Sequence, residues 1–497
     1  TPSWLGTNLS PLPDPAYGIN HQSYVDATPV IGDAKTGAGS SASDWKTVLV
    51  SGTGGGGRGV FALDVTDPTS FNASKVLWEF TQVHDADMGF VLGKPRIVKL
   101  RPSAPTAATA TYRWFAMVPS GVNNYVDDGT GAFSTTGAPA IFLLALDKPA
   151  GVAWTSSGAN PNYYKITLPF DSTLATATPP YAGLATGIIN LEAFVDNAGV
   201  VSYVFAGDLH GKLWNLDFTG VGASGWTAGQ LSRFSTGSGT NLVAFPMYIA
   251  KDGNGNVQPI TAAPTILQGY GGPTTHFVGF GTGKYIEGTD SSSTAQQTYY
   301  VLYDNGRGGG AGGTSGVVGI AGRGRGQQGT SNAAGKLSPS AAFTWGRATR
   351  DADVTQRSGW YYDLGSTGER VVYDSVYVPL TTKVTFSSLI PDGATSPGVC
   401  SVSGGSGNIY YVDMVEGKGF KKASTVGVPG GPMLMFNDET TTTSKADGSG
   451  RRMRTRPTLI GVPGAASAGG MQGANEVSPV GRLSWRQINN YLELKNR

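Results

Sequence analysis

The chain has 497 residues with 74 glycines, a charged fraction of 14% and a formal net charge of +2. This composition, rich in glycine and aromatic residues, favours short strands and turns over helices. No basic stripe supports nucleic-acid binding, and no run of about 18 apolar residues predicts a transmembrane segment. Cys400, the one cysteine in the sequence, cannot form an internal disulfide, and four scattered histidines show no metal-site spacing.

A diverged phrase recurs along the chain. It consists of an apolar strand opened by proline, a strand ending in small residues, and a strand ending in aspartate. Copies span residues 28–68, 94–147, 201–218, 263–304 and 379–414, a sixth begins at Arg456, and the closing aspartates are Asp64, Asp147, Asp217, Asp304 and Asp413. Such units cannot bury their apolar faces alone, so the repeats predict an all-β propeller, with long loop insertions accounting for the wide spacing.

The stretch FAGDLHGKLWNLDF, residues 205–218, predicts one hairpin of a propeller blade, with its turn at His210 and Gly211. We expect Val204, Leu209 and Leu213, together with other apolar residues of the hairpin, to fill the layers between blades. Gly207 and Gly211 permit backbone geometry that a side chain would block.

Two low-complexity segments interrupt the repeats. We interpret residues 306–336 as a Gly-rich loop insertion and residues 437–456 as a Thr/Arg-rich loop. The best helix signal is the C-terminal segment Ser484 to Arg497, with Ser484 as its N-cap.

Three short motifs could carry chemistry. SGTGGGGRGV (51–60) contains G-x-G-x-x-G, but a strand follows it where a nucleotide site needs a helix, so a hairpin turn is favoured. KDGNGNVQPI (251–260) resembles the start of a calcium loop without its closing carboxylate, which favours a polar turn. Asp85 and Asp87 could be an acid/base pair or bind a cation, but a solvated loop is favoured. The sequence contains no nucleophile elbow or zinc spacing, so no residue pattern supports an enzyme.

Several phrases, in order along the chain, resemble the C-terminal domain of the PilY/PilC family of type IV pilus biogenesis factors. They include HQSYVDATPVIGD, WKTVLVSGTGGGGRGVFALDVTDP, VLWEFTQVHDADMGFVLGKPRIVKL, YVFAGDLHGKLWNLDF, QPITAAPTI, VGFGTGKYIE and GRLSWRQI, which together span His21 to Ile488. The resemblance implies a modified seven-bladed, quinoprotein-like β-propeller. It also implies that residues 1–497 are the single C-terminal domain of a longer protein, as expected for a chain that starts at Thr1 without a signal peptide.

The resemblance further implies a non-enzymatic protein of the bacterial cell surface or pilus tip, exported through the periplasm and outer membrane. Its implied roles are pilus assembly with minor pilins, opposition to retraction, and adhesion to a host or abiotic surface. Its implied partners are minor pilins, a surface receptor and its own N-terminal region. We expect both loops, 306–336 and 437–456, to contact partners. In the second loop we expect the basic residues Arg451, Arg452, Arg454 and Arg456 to meet an acidic pilin surface.

Members of this family often carry a calcium loop just before the AGDL phrase. Carried over residue by residue, its positions are Phe194, Asp196, Ala198, the Val200 carbonyl and Ser202. Calcium takes about six to eight oxygen ligands, and Asp196 is the one carboxylate in this set. We therefore predict a degenerate loop that survives as a turn and binds calcium weakly or not at all.

Two alternatives from other functional classes remain. A PQQ-dependent quinoprotein dehydrogenase shares the implied fold, but its family typically uses a vicinal disulfide, which one cysteine excludes. A glycan-binding propeller lectin would use aromatic residues at the rim, although buried aromatics explain the many Tyr and Trp residues equally well.

Overall fold

The structure is a computed structural model. It describes residues 23–127, 129, 131–170, 185–237, 239, 241–270, 272–305, 319–320, 322–346, 356–392, 405–425, 427–436, 440–443, 452–461 and 471–480. The predicted helix at Ser484 to Arg497 lies outside these residues. Strands dominate the described part, and its one α-helix is the four-residue α1, Ala228–Leu231. Short 3-10 turns lie at Ala42–Asp44, Gly54–Gly56, Pro68–Ser70, Ala73–Lys75, Ala223–Gly225, Gly288–Ser292 and Arg323–Arg325.

The first two repeats form two four-stranded antiparallel sheets, ordered β1-β2-β3-β4 and β5-β6-β8-β9. Apolar and β-branched residues dominate these segments, which suits β-strands. The eight strands are β1 Val30–Lys35, β2 Trp45–Gly52, β3 Gly59–Asp64, β4 Val76–Thr81, β5 Arg96–Leu100, β6 Arg113–Pro119, β8 Ala140–Ala145 and β9 Tyr163–Thr167. The short β7, Gly121–Val122, follows β6 in the chain but pairs with β10 of the next sheet. The Gly-rich motif at residues 51–60 is the β2–β3 hairpin turn, as predicted.

A five-stranded sheet follows, ordered β15-β12-β11-β10-β7, beside a separate β13–β14 hairpin. Its strands are β10 Gly187–Val195, β11 Val201–Asp208, β12 Lys212–Asp217, β13 Phe234–Thr236, β14 Val243–Phe245 and β15 Tyr248–Ile249. The predicted hairpin of residues 205–218 is confirmed, because β11 and β12 pair from Tyr203–Asp217 to Gly207–Leu213. An added Cβ at Gly207 would lie 2.1 Å from Ile260 Cγ2, and Gly211 has φ +73°, so both glycines are required.

The next repeats join into one ten-stranded sheet, ordered β16-β17-β18-β23-β19-β20-β27-β26-β25-β24. Its strands, with the separate β21–β22 pair, are β16 Thr265–Gln268, β17 His276–Gly281, β18 Thr298–Asp304, β19 Gly326–Ser331, β20 Lys336–Pro339, β21 Thr344–Trp345, β22 Gln356–Arg357, β23 Gly359–Asp363, β24 Val376–Tyr377, β25 Lys383–Ser387, β26 Asn408–Asp413 and β27 Gly419–Ala423. The β19–β20 hairpin bridges two blade-like sheets, since β19 pairs with β23 and β20 pairs with β27.

This hairpin corrects the predicted Gly-rich loop at 306–336. Residues 326–336, the last third of that predicted loop, form β19, a turn and the start of β20. Glycine is tolerated in β19 because Gly326 and Gly329 lie directly against the rings of Tyr361 and Tyr362. The remaining described residues form a further sheet from β28 Met433–Phe436, β29 Thr440–Thr443, β30 Arg452–Gly461 and β31 Met471–Val480. In that sheet β30 pairs with the other three strands.

Successive sheets stack face to face through apolar layers. In β6, Ala116 and Val118 face the layer shared with the first sheet, whereas Phe115 and Met117 face the layer shared with the β10–β12 sheet. Phe205 and Leu213 continue the stack toward β17 and β18. Successive side chains of each strand point to opposite faces of the sheet, so one strand contributes to two apolar layers. This explains why nearly the whole of β6 and β8 is buried.

Candidate functional site

Charged side chains gather where the segments that precede β5, β16 and β24 meet. Lys94 precedes β5 and Asp374 precedes β24, and Lys94 Nζ lies 3.0 Å from Asp374 Oδ2. Asp374 Oδ1 also accepts a hydrogen bond from the backbone N–H of Ala263, just before β16, at 2.8 Å. One carboxylate therefore fastens three segments that are far apart in the sequence.

Residues of β10 and β5 complete this group. Asn190 Oδ1 accepts the Lys94 N–H at 3.0 Å, and its Nδ2 donates to the Thr261 carbonyl at 2.9 Å. Arg96 donates to Glu192 across a 2.6 Å ion pair. We name Lys94, Arg96, Asn190, Glu192 and Asp374 the axial cluster.

The axial cluster is half-buried and internally paired. Burial raises the pKa of Glu192, and the nearby Arg96 guanidinium opposes that rise. Each charged side chain already has an oppositely charged partner, and the group contains no hydroxyl or thiol nucleophile beside a base. The cluster can hold the blade ends together, and sequence analysis missed it. The available signal was a pair of cations flanking Pro95 at the opening of an apolar strand.

The degenerate calcium loop is a hairpin turn between β10 and β11. Asp196 Oδ1 accepts the backbone N–H groups of Ala198 and Val200 at 2.8 and 2.9 Å. The Val200 carbonyl accepts the Asp196 N–H at 2.8 Å, and the Ala198 carbonyl accepts Lys99 Nζ at 2.6 Å. These oxygens therefore already accept hydrogen bonds from donors within the protein.

The other two loop positions also lack the character of calcium ligands. Phe194 packs its ring against His276, with 4.8 Å between ring centroids, and Ser202 lies within β11. Hard cations such as calcium prefer several charged oxygens, so the residues present do not fit the ion. Within the ranges that the structure describes, no three His, Cys, Asp or Glu side chains are grouped to hold a metal. The weak-calcium expectation stays a prediction.

Asp85 and Asp87 are not in a solvated loop, which corrects the favoured interpretation of this motif. Lys165 Nζ, on β9, lies 2.9 Å from Asp85 Oδ1 and 2.8 Å from Asp87 Oδ2. Tyr163 and Ser134 donate further hydrogen bonds to the two carboxylates. Burial alone lowers the pKa of Lys165, but the two aspartates outweigh it and raise that pKa. The motif is an ion cluster that joins two sheets.

The KDGNGN motif is a turn, as predicted. Asp252 Oδ1 accepts the N–H groups of Asn254 and Asn256, each at 2.9 Å.

The Thr/Arg-rich loop predicted at 437–456 is corrected in part, because Thr440–Thr443 and Arg452–Gly461 are the paired strands β29 and β30. β-Branched threonines and the alternation in RMRTR suit a strand. Arg452, Arg454 and Arg456 occupy alternate positions of β30, and Arg451 lies outside the described residues.

The fold and the site together define the class of protein: it is a β-propeller in which the charged residues of the axial cluster pair with one another. Residues 3–131 and 182–335, more than half of the chain, match the family model described as the PilY1 beta-propeller domain. The chain therefore belongs to the PilY1 β-propeller domain family. The propeller prediction is confirmed, whereas the count of seven blades stays a prediction.

Curated relatives carry the same family name. A type IV pilus biogenesis factor PilY1 homolog of Xylella fastidiosa is 30% identical over 423 residues, which cover 84% of this chain and 24% of that protein. Type IV pilus biogenesis factor PilY1 of Pseudomonas aeruginosa PAO1 is 30% identical over 304 residues, which cover 58% of this chain and 21% of that protein. The chain thus spans about a quarter or less of these relatives.

A solved structure supports the fold. The crystal structure of the Pseudomonas aeruginosa PilY1 C-terminal domain is similar, with a TM-score of 0.57 and 23% identity. The match covers 91% of this chain and 86% of that chain. At this identity the likeness shows the fold alone.

Proposed function

We propose that this chain is the propeller domain of a type IV pilus biogenesis factor, which works by binding minor pilins at the cell surface or pilus tip. The observation that carries the proposal is the family match over more than half of the chain, together with relatives named as pilus biogenesis factors. Opposition to retraction and adhesion to a host or abiotic surface belong to the same proposal. None of the described helices has the length and hydropathy needed to cross a membrane.

The axial cluster supports a binding role over catalysis. The residues here do not fit the cofactor of a quinoprotein dehydrogenase. Lys94 and Arg96 are bonded to Asp374 and Glu192, and the single cysteine cannot supply a vicinal disulfide. We therefore place function in the loops and strand edges that the rigid scaffold displays.

The basic residues of β30 are the proposed contact with pilins. Three arginines occupy alternate positions of one strand, and positive charge speeds association with an acidic surface. Salt screens this attraction, so pilin affinity should fall as ionic strength rises.

The test measures affinity of the purified chain for purified minor pilins at low and high salt. Reversing Arg452, Arg454 and Arg456 to Glu should weaken binding at least about tenfold at low salt and flatten the salt dependence. Adding Arg451→Glu should deepen the loss. A matched control reverses three exposed lysines, Lys251, Lys336 and Lys422, for the same change in net charge.

If the control weakens binding as much as the arginine variant, net charge rather than β30 determines affinity. No binding by the unmodified chain would refute the proposed function.

A further inference from the structure

The turn between β10 and β11 is reached by side chains from the sheets on both sides of its own. Residues 195–199 of this turn are exposed, and the chain becomes buried again at Val200. Exposed turns of this kind ordinarily open readily, because they have few contacts with the rest of the fold. This turn has contacts on two sides, one with β5 and one with β17.

On the first side, Lys99 of β5 contacts the turn. Its Nζ donates to the Ala198 carbonyl at 2.6 Å, and Lys99 also pairs with Val200 in an isolated parallel β-bridge. The same Nζ lies 5.3 Å from the ring centroid of Tyr112, a distance at which a cation is attracted to an aromatic face. The ammonium therefore lies between a carbonyl oxygen and an aromatic ring, and both attract positive charge.

On the second side, Phe194 at the end of β10 packs against His276 of β17. The ring centroids are 4.8 Å apart with an angle of 70° between the ring planes, which is the edge-to-face arrangement that stabilises aromatic pairs. His276 is fully buried, and the ring of Tyr203 packs against it as well, at 4.6 Å. This contact joins the turn to the sheet of β17, whereas Lys99 joins it to the sheet of β5.

The family resemblance implies a calcium loop at this turn, and the residues present do not fit that ion. Two of its ligand positions are instead used by the contacts described above. The Phe194 ring packs against His276, and the Ala198 carbonyl accepts the ammonium. We infer that the Lys99 ammonium takes the place of a bound cation at this turn, and that it fixes the turn between the two neighbouring sheets together with the Phe194 contact.

An ammonium suits this turn better than a free ion does. Calcium needs several charged oxygens, and Asp196 Oδ1 already accepts two backbone N–H groups. Lys99 carries its charge on a side chain that is attached to β5, so the charge stays when the ions in the medium change. The turn is therefore closed with or without calcium, and this inference does not depend on pilin binding.

Hydrogen exchange of residues 195–201, followed by mass spectrometry in the presence of EDTA, measures how readily the turn opens. Lys99→Met removes the charged donor and keeps an apolar side chain, so exchange should become about three- to tenfold faster. Lys99→Arg keeps a charged donor and should exchange within about twofold of the unmodified chain. Phe194→Ala releases the other side of the turn and should also accelerate exchange.

Lys212→Met is the matched control. Lys212 Nζ also donates to a backbone carbonyl, that of Pro169 at 3.0 Å, but at a different turn. This variant loses the same charge and should leave exchange of residues 195–201 unchanged. If Lys99→Met folds and exchanges in this segment like the unmodified chain, the inference is overturned.

A second pair of variants tests whether the ammonium occupies the place of a cation. In Ala198→Asp the new carboxylate can pair with Lys99, so about 10 mM calcium should leave exchange of the turn unchanged. In Lys99→Met/Ala198→Asp two carboxylates remain without the ammonium, and the same calcium should slow exchange about threefold or more. Equal responses to calcium in the two variants would refute the replacement of a cation by Lys99.

Discussion

The turns that begin at Asp208 and Asp252 have the same hydrogen bonds in different surroundings. In each, one carboxylate oxygen accepts two backbone N–H groups at 2.9 Å, from the residues two and four positions onward. The second oxygen accepts a side-chain N–H, from Trp214 Nε1 at 3.0 Å or from Asn256 Nδ2 at 2.9 Å. Each turn has a glycine of positive φ at its fourth position, Gly211 or Gly255.

The residues around the two aspartates differ in burial, although both aspartates are buried, Asp208 at 1% and Asp252 at 8% exposure. His210 is 2% exposed beside Asp208, whereas residues 253–256 of the other turn are exposed. Burial raises the pKa of Asp208, and the hydrogen bonds from Trp214 and Lys212 only oppose that rise. Burial also acts to raise the pKa of Asp252, but hydrogen bonds from Asn256 outweigh it and lower that pKa. The same aspartate turn therefore lies in the protein interior at Asp208 and at the protein surface at Asp252.

The largest expected effect is that of Asp208→Ala. Removing this carboxylate leaves two backbone N–H groups and the Trp214 N–H without an acceptor, in a buried site. The free energy of unfolding should fall by about 3 kcal/mol or more, whereas Asp252→Ala should lower it by about 1 kcal/mol, because water can replace the lost acceptor. Urea denaturation of both variants measures the difference. Equal losses would show that burial does not separate the two turns.

Alanine at the two turn glycines sharpens the same contrast. A Cβ at Gly211 would lie 2.7 Å from the Ala250 carbonyl oxygen and 2.8 Å from that of Gln258, whereas at Gly255 it would meet nothing within 4 Å. Gly211→Ala should destabilise the fold by about 2–4 kcal/mol, from both clash and backbone strain. Gly255→Ala should lose about 1 kcal/mol from strain alone. Thermal unfolding would contradict this if Gly255→Ala were the more damaging change.

A smaller effect concerns pH. Because the folded-state pKa of Asp252 is lowered, its carboxylate stabilises the fold above its unfolded pKa, about 3.9, and this contribution is lost as pH falls through the folded value. Asp252→Asn should therefore be slightly less stable than the unmodified chain at pH 7, with the gap closing below about pH 4.

The raised pKa of Asp208 gives the opposite sign. Its protonated form favours the folded state below the unfolded pKa, and the fold loses this contribution as pH rises through the folded-state pKa. Denaturant titrations at several pH values follow both residues. A gap for Asp252→Asn that widens on acidification would contradict the assignment.

Local patterns in the sequence predicted much of the fold. The repeated phrases became strands, and the predicted hairpin of residues 205–218 is β11–β12. A further local signal was missed: Asp or Asn followed three residues later by glycine marks the same turn at Asp196, Asp208, Asp252 and Asn332. Its physical basis is an oxygen side chain that caps two N–H groups while glycine takes positive φ.

The axial cluster could not be predicted in this way. Lys94 and Asp374 are 280 residues apart, and neither belongs to a motif that indicates the other. The contact of Lys165 with Asp85 and Asp87 likewise joins different sheets. The β19–β20 hairpin was not predicted because its glycines are typical of a loop, and the sequence does not show the tyrosine rings that pack against them. Long-range packing, which a single sequence does not display, decides these features.

Protein donors occupy Oδ1 of the turn aspartates Asp196, Asp208 and Asp252, so we expect these turns to shape the scaffold without a bound cation. Calorimetric titration of calcium into the chain, with thermal stability followed in parallel, is the decisive test. We expect no binding heat and no change in melting temperature, since Asp196 Oδ1 and the Val200 carbonyl already accept protein hydrogen bonds. Saturable heat with a raised melting temperature, both lost in Asp196→Asn, would contradict it.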